Sequence, residues 1–182
     1  MGYDPADGSK LWELSNFGGS FSSSPAVDES GLYMGNSGPR SSGPLAAIDA
    51  SASGELALTR GQSDGWVRWS KSGSGPGLSS PVAHNGLLYI VKSPFLVCYD
   101  TQTGDRVYEE RLRSRARTAA SPFVAGNNLF VLAEDGTTFV VPTGREFSVK
   151  SENKIDDLFW ATPAVAGDTL LLRGADHLYC IR

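Results

Sequence analysis

Few residues in this chain have types and spacings suited to chemistry. The sharpest charge feature is Glu109-Glu110-Arg111-Leu112-Arg113-Ser114-Arg115-Ala116-Arg117. Side chains on a strand repeat their direction every second residue, so an extended run points Arg111, Arg113, Arg115 and Arg117 to one face. A row of guanidinium groups can grip carboxylates or phosphates of a glycan or a partner. The competing reading is a solvated edge that resists edge-to-edge pairing, partly neutralised by Asp105, Glu109 and Glu110. Trp66 and Trp69 bracket Val67-Arg68 in an irregular stretch. They read either as an aromatic binding loop or as packing residues displaced by an insertion.

Hydrolytic and metal chemistry find no support. His84 and His177 are the only histidines, and neither has Cys or His neighbours at zinc-ligand spacing. No Ser, His and Asp order can be tied to a strained nucleophile elbow. Asp156-Asp157, just before Phe159-Trp160, is the nearest approach to an oxygen site for Ca2+. The reading preferred for it is a solvated loop. No catalytic, cofactor-binding or metal-ligating set is assigned.

The elements that must position these residues come from a repeat. Ser24-Pro25-Ala26-Val27 recurs as Ser80-Pro81-Val82-Ala83, Ser121-Pro122-Phe123-Val124 and Thr162-Pro163-Ala164-Val165. Each is followed by an apolar strand such as Gly86-Leu87-Leu88-Tyr89-Ile90 or Thr169-Leu170-Leu171-Leu172. The prolines lie 56, 41 and 41 residues apart, within reach of the roughly 40–50 residues of a propeller blade. The longer step reads as a blade with an insertion between Gly35 and Ser80. A further strand follows at fixed offset: Leu45-Ala46-Ala47-Ile48-Asp49, Leu96-Val97-Cys98-Tyr99-Asp100, a degenerate Phe139-Val140-Val141-Pro142, and Leu178-Tyr179-Cys180-Ile181-Arg182. Then come a turn and an outer strand, Asp100-Thr101-Gln102-Thr103-Gly104-Asp105-Arg106-Val107-Tyr108, matched at the start by Asp4-Pro5-Ala6-Asp7-Gly8-Ser9-Lys10-Leu11-Trp12.

No segment sustains a helical period, so the chain reads as all-β, with short strands between Gly, Asp, Asn and Ser turns. Cys98 and Cys180 fall at equivalent positions two repeats apart, beyond the ~7 Å Cα limit of a bridge. Both read as buried small hydrophobes, with a disulfide or metal pair as the alternative.

These strings resemble the PQQ-like β-propeller repeat, the blade of quinoprotein alcohol dehydrogenases. The same repeat occurs in the propeller lipoprotein of the bacterial outer-membrane β-barrel assembly machine. The resemblance implies about four blades of four antiparallel strands, drawn from a parent of seven or eight. One domain spans 1–182, with repeat units near 3–49, 50–100, 101–142 and 143–182. It also implies a periplasmic or extracellular setting and a non-catalytic role in protein interaction. The alternatives are a portion of a PQQ-dependent dehydrogenase and a sugar- or polyanion-binding module. The dehydrogenases would imply Ca2+, a catalytic Asp and a disulfide between adjacent cysteines; this chain has no adjacent cysteines, so neither PQQ nor Ca2+ is expected.

The balance of 16 Lys+Arg against 20 Asp+Glu, a net charge of −4, disfavours nucleic acid as partner. Apolar runs are strand-sized, far below the ~20 residues of a membrane helix. Met1-Gly2-Tyr3-Asp4 shows neither a charged nor an apolar leader region, so no signal peptide is read there. The chain begins on an outer strand and ends on a third strand, which leaves three arrangements open: a closed four-blade ring, a half-ring that pairs with a copy, or part of a longer ring. The last is preferred, and open blade edges predict self-association of the isolated chain.

Overall fold

The computed structural model describes residues 1–17, 22–37, 42–58, 65–114 and 116–182. Every regular element among them is a β-strand, and none is a helix long and apolar enough to cross a membrane. The chain opens with β1 (Gly2–Tyr3) and β2 (Lys10–Ser15). Next come β3 (Ala26–Asp28), β4 (Gly31–Ser37), β5 (Ser42–Asp49), β6 (Gly54–Ala57) and β7 (Val67–Lys71). The first blade is the sheet β3-β4-β5-β7, which β6 leaves. The second blade runs through β8 (Val82–His84), β9 (Leu87–Lys92), β10 (Phe95–Asp100) and β11 (Arg106–Arg111). β12 (Phe123–Ala125), β13 (Asn128–Leu132), β14 (Thr137–Pro142) and β15 (Ser151–Lys154) form the third. The last sheet has three strands, in keeping with a chain that ends on a third strand: β16 (Ala164–Ala166), β17 (Thr169–Arg173) and β18 (Leu178–Ile181). The architecture is a partial β-propeller.

A blade between two neighbours buries both faces, so its middle strands lose the usual alternation of apolar and polar residues. In β9, Leu87 through Val91 are all buried. Leu87, Tyr89 and Val91 enter the seam with Leu129, Val131, Phe139 and Val141 of the third blade. Leu88 and Ile90 turn the other way, against Tyr33, Leu45, Ala47 and Trp69 of the first. Burying each such side chain stabilises by about 1.5–3 kcal/mol.

The Ser/Thr-Pro motif links the blades at their innermost strands. The Ser24 N–H donates to Ser80 Oγ at 2.9 Å, the Ser80 N–H to Ser121 Oγ at 2.8 Å, and the Ser121 N–H to Thr162 Oγ1 at 2.9 Å. Each hydroxyl thus accepts a bond from the equivalent residue one repeat earlier. The outer turns are fastened differently. Asp100 Oδ1 accepts the N–H groups of Gln102 and Thr103, and the Asp100 carbonyl accepts that of Gly104. Asp4 repeats this with Ala6 and Gly8. The pairing of β1 with β2, Gly2 opposite Trp12, mirrors Cys98 opposite Tyr108. Trp69 lies on Gly104 of the next blade's turn, donates from Nε1 to the Thr101 carbonyl at 2.9 Å and stacks on Tyr33.

The insertion carries a strand across a seam. β6 pairs in parallel with β2, Leu56 beside Leu14. Leu56 is buried with Phe17, Ala46, Ile48 and Val67, and Trp12, Leu14 and Trp66 pack around them. β2 therefore pairs with β1 and β6, not with β18, and does not complete the fourth blade. The fourth blade's far face is correspondingly open. Leu178 is 66% exposed, whereas Leu96, its equivalent in the second blade, is fully buried. Cys180 is exposed for the same reason, which corrects its reading as a buried residue; Cys98 is buried, and both thiols are free.

Two substitutions test these fastenings. A Cβ on Gly104 would sit 2.6 Å from the Trp69 ring at φ +72°, whereas one on Gly126, at φ +57°, would meet open space. Gly104→Ala should therefore cost about 1–3 kcal/mol more than Gly126→Ala in urea unfolding; equal costs would contradict the seam assignment. Ser121→Ala removes an acceptor from the Ser80 N–H and should cost about 1 kcal/mol, while Ser121→Thr, which keeps the hydroxyl, should cost less.

Candidate functional site

The candidate site forms where the turn between β9 and β10 meets the connection from β11 to β12. β11 ends at Arg111, its last residue paired with β10; beyond it Leu112 still points into the seam, 3% exposed, and its N–H donates to the Pro94 carbonyl at 2.9 Å. Regular strand geometry stops there. This corrects the expectation of four arginines on one strand face. Arg111 places its guanidinium over the Phe95 ring, 5.9 Å from the centroid. Arg113 and Arg117 are exposed on the connection beyond the strand, and Arg115 lies outside the described residues.

The irregular connection nevertheless brings cations together. Ser93, Pro94, Arg111, Ser114, Ala116 and Arg117 line a cleft of about 460 Å³. A second cleft, of about 390 Å³, is lined by Ser42, Leu78, Lys92, Ser93, Arg117 and Thr118 among others. Ser93 and Arg117 border both, and among the described residues no carboxylate lines either. The walls are held by local bonds: the Ala116 N–H to Ser114 Oγ at 2.9 Å, the Glu134 N–H to the Arg117 carbonyl at 2.8 Å, and Lys92 Nζ to the Gly73 carbonyl at 2.9 Å. Cations around a concave surface suit an anionic group presented by a partner.

Neither tryptophan lines these clefts. Trp69 is 8% exposed and Trp66 is half-buried, so the seams between sheets claim both. At the opposite strand ends, His84 borders a cleft with Asp28, Glu29, Ser30 and Asn85, and its ring accepts from the Asn85 amide at 3.1 Å.

Asp157 also departs from its reading as a loop residue in solvent. Its side chain is 2% exposed, while Asp156 beside it is exposed. The carboxylate accepts the N–H of Leu158 at 2.7 Å, of Ala175 at 3.1 Å and of His177 at 3.3 Å, and the Tyr179 hydroxyl at 3.0 Å. It fills a nest of backbone donors in the turn between β17 and β18. A Cβ on Gly174 would overlap the carboxylate, which explains the glycine. Burial pushes the Asp157 carboxyl up, but these hydrogen bonds outweigh it and the net shift is down. Burial drives the Cys98 thiol the other way, up to about 12, so it stays a protonated packing residue.

Comparison with known proteins follows from this geometry. Residues 54–175 match the family model described as outer membrane protein assembly factor BamB. The chain belongs to this PQQ-like propeller repeat family. No curated protein matches it in sequence. BamB from Moraxella catarrhalis superimposes with a TM-score of 0.71 at 18% identity, over 96% of this chain and 50% of that one, so the chain spans about half the length of that relative. The computationally designed Ika4 protein gives 0.67 at 12% identity, over 96% and 98% of the two chains. A europium-containing methanol dehydrogenase gives 0.50 at 10% identity, over 71% of this chain and 24% of that one. These likenesses show the fold.

For a PQQ-like repeat protein, the donor chemistry of a quinone and its cation can be tested on the residues present. Among the described residues no three His, Cys, Asp or Glu side chains converge. The buried carboxylate, Asp157, is committed to backbone N–H groups. Sequence reasoning missed Lys92 and read Asp157 as a solvated loop residue, because their partners are distant in the chain. It passed over Trp160, 57% exposed, although its place three residues before Pro163 matches that of the exposed Leu78 before Pro81.

The depressed Asp157 pKa has a pH signature. Its carboxylate contributes stability in full above the ordinary aspartate value of about 3.9, and that contribution is lost as pH falls through the lower folded value. Asp157→Asn should lower the urea midpoint at neutral pH, and the gap to the parent chain should close in acid. A gap unchanged from neutral pH to about pH 2 would contradict this assignment.

Proposed function

We propose that this PQQ-like propeller is a non-catalytic interaction module of the bacterial cell envelope, with the two clefts around Arg117 as its contact surface for protein. The observation that carries this reading is the convergence of Lys92, Arg111 and Arg117 on adjoining clefts with no carboxylate among the described residues of their walls. Family membership supports the envelope setting, since the matching model describes an outer membrane protein assembly factor. The polyanion-binding alternative draws on the same cations and differs in its partner.

The test is capture of envelope proteins on the immobilised chain, comparing the parent with Lys92→Glu/Arg117→Glu. A genuine contact surface predicts at least about a tenfold loss of affinity for the captured protein, some 1.4 kcal/mol. Unchanged capture by the double variant would remove the clefts from the interaction. Competition by a sulfated polysaccharide that vanishes in salt, with no protein captured, would favour the polyanion alternative.

A further inference from the structure

The face that carries the clefts has two electrical halves. Lys92, Arg111, Arg113 and Arg117 lie on the turn and connection of the second blade. One and two blades further, the corresponding turns and connection carry Glu134, Asp135, Asp156 and Asp176. The halves adjoin through main-chain bonds: the Glu134 N–H to the Arg117 carbonyl at 2.8 Å, the Phe159 N–H to the Glu134 carbonyl at 3.0 Å, and the Ala175 N–H to the Leu158 carbonyl at 2.8 Å. None of these eight side chains is in an ion pair among the described residues. Two cations stand on the acidic side: Arg173 folds back onto the carbonyls of Gly174, Ala175 and His177, and Lys154 is exposed at the end of β15, so four carboxylates outnumber the one cation left facing out. Large apolar side chains stand on both halves, Leu78 at 60% exposure among the cations and Leu158 and Trp160 at 49% and 57% among the carboxylates.

A partner of one sign would be drawn to one half and repelled by the other. A surface that carries its own complement satisfies both halves when it meets itself about a two-fold axis, since that symmetry brings patch i onto patch j and j onto i. Resting on the reading of this face as the contact surface, we propose that its occupant is a second copy of the chain. The cationic side of each copy lies over the acidic side of the other, with Leu78 facing Leu158 and Trp160.

Sedimentation velocity over a concentration series tests this, with two charge-reversal variants of this face. The first, Lys92→Glu/Arg113→Glu/Arg117→Glu, reverses three of the four cations and makes the face predominantly acidic. The second, Glu134→Lys/Asp156→Lys/Asp176→Lys, makes it basic. The parent should dimerise with an affinity that falls as salt rises. Each variant alone should dimerise at least about tenfold more weakly, and an equimolar mixture should recover a heterodimer, which also shows that both variants are folded. A monomeric parent at every concentration would overturn the proposal. So would association that neither variant weakens, which would point to the open edge of β18, or a mixture that fails to recover the dimer. If the parent is monomeric while Lys92→Glu/Arg117→Glu still loses the captured envelope protein, the second copy is excluded and the contact surface stands.

Discussion

The structure turns on one short hydrogen bond repeated along the inner strands. A serine or threonine before proline accepts, through its hydroxyl, the N–H of its counterpart one blade earlier. The proline holds that residue in the extended region, which aims its N–H and hydroxyl at opposite neighbours. Ser80 and Ser121 each do both, accepting from one side and donating to the other. Blade pitch is thereby set at the centre, where strands crowd most closely, and everything further out inherits it: the seams filled by Leu87, Tyr89 and Leu129, the dock of Trp69 on Gly104, and the row of turns that builds the charged face.

Much of this was legible because the sequence repeats what the structure repeats. The separations of 56, 41 and 41 residues between prolines are also the separations between bonded hydroxyls and N–H groups. The Asp-to-Gly turn string could be read twice, and both copies fold alike. Individual side chains were harder. The arginine run leaves its strand after Arg111, where pairing with β10 stops, and a strand period contains no information about where a partner strand ends. Asp157 meets its donors about twenty residues later, in a turn that looks ordinary as sequence. Cys98 and Cys180 are the same letter in the same motif, yet one is buried by a neighbouring blade and the other is not. Burial in a repeat protein belongs to the stack as well as to the repeat.

The candidate surface obeys the same division of labour. Its shape comes from repeated turns, while its charge comes from the residues by which those turns differ. Ser93-Pro94, Glu134-Asp135 and Ala175-Asp176 occupy corresponding turns and carry no net charge, two acids and one acid respectively. A scaffold that keeps the backbone constant lets such differences accumulate without disturbing the core, which is how one fold comes to serve many partners.

The strand carried across the first seam bears on the order in which the chain can fold. Leu14 and Leu56 are neighbours in a parallel pair although 42 residues separate them, and the first blade's inner strands lie between them in sequence. During synthesis β2 emerges long before the strand that covers its outer side, so it must wait, only partly paired, until the insertion arrives. The N-terminal sheet is then consolidated together with the first blade, and β2 becomes one of the later parts of this region to settle although it is made before the strands of that blade.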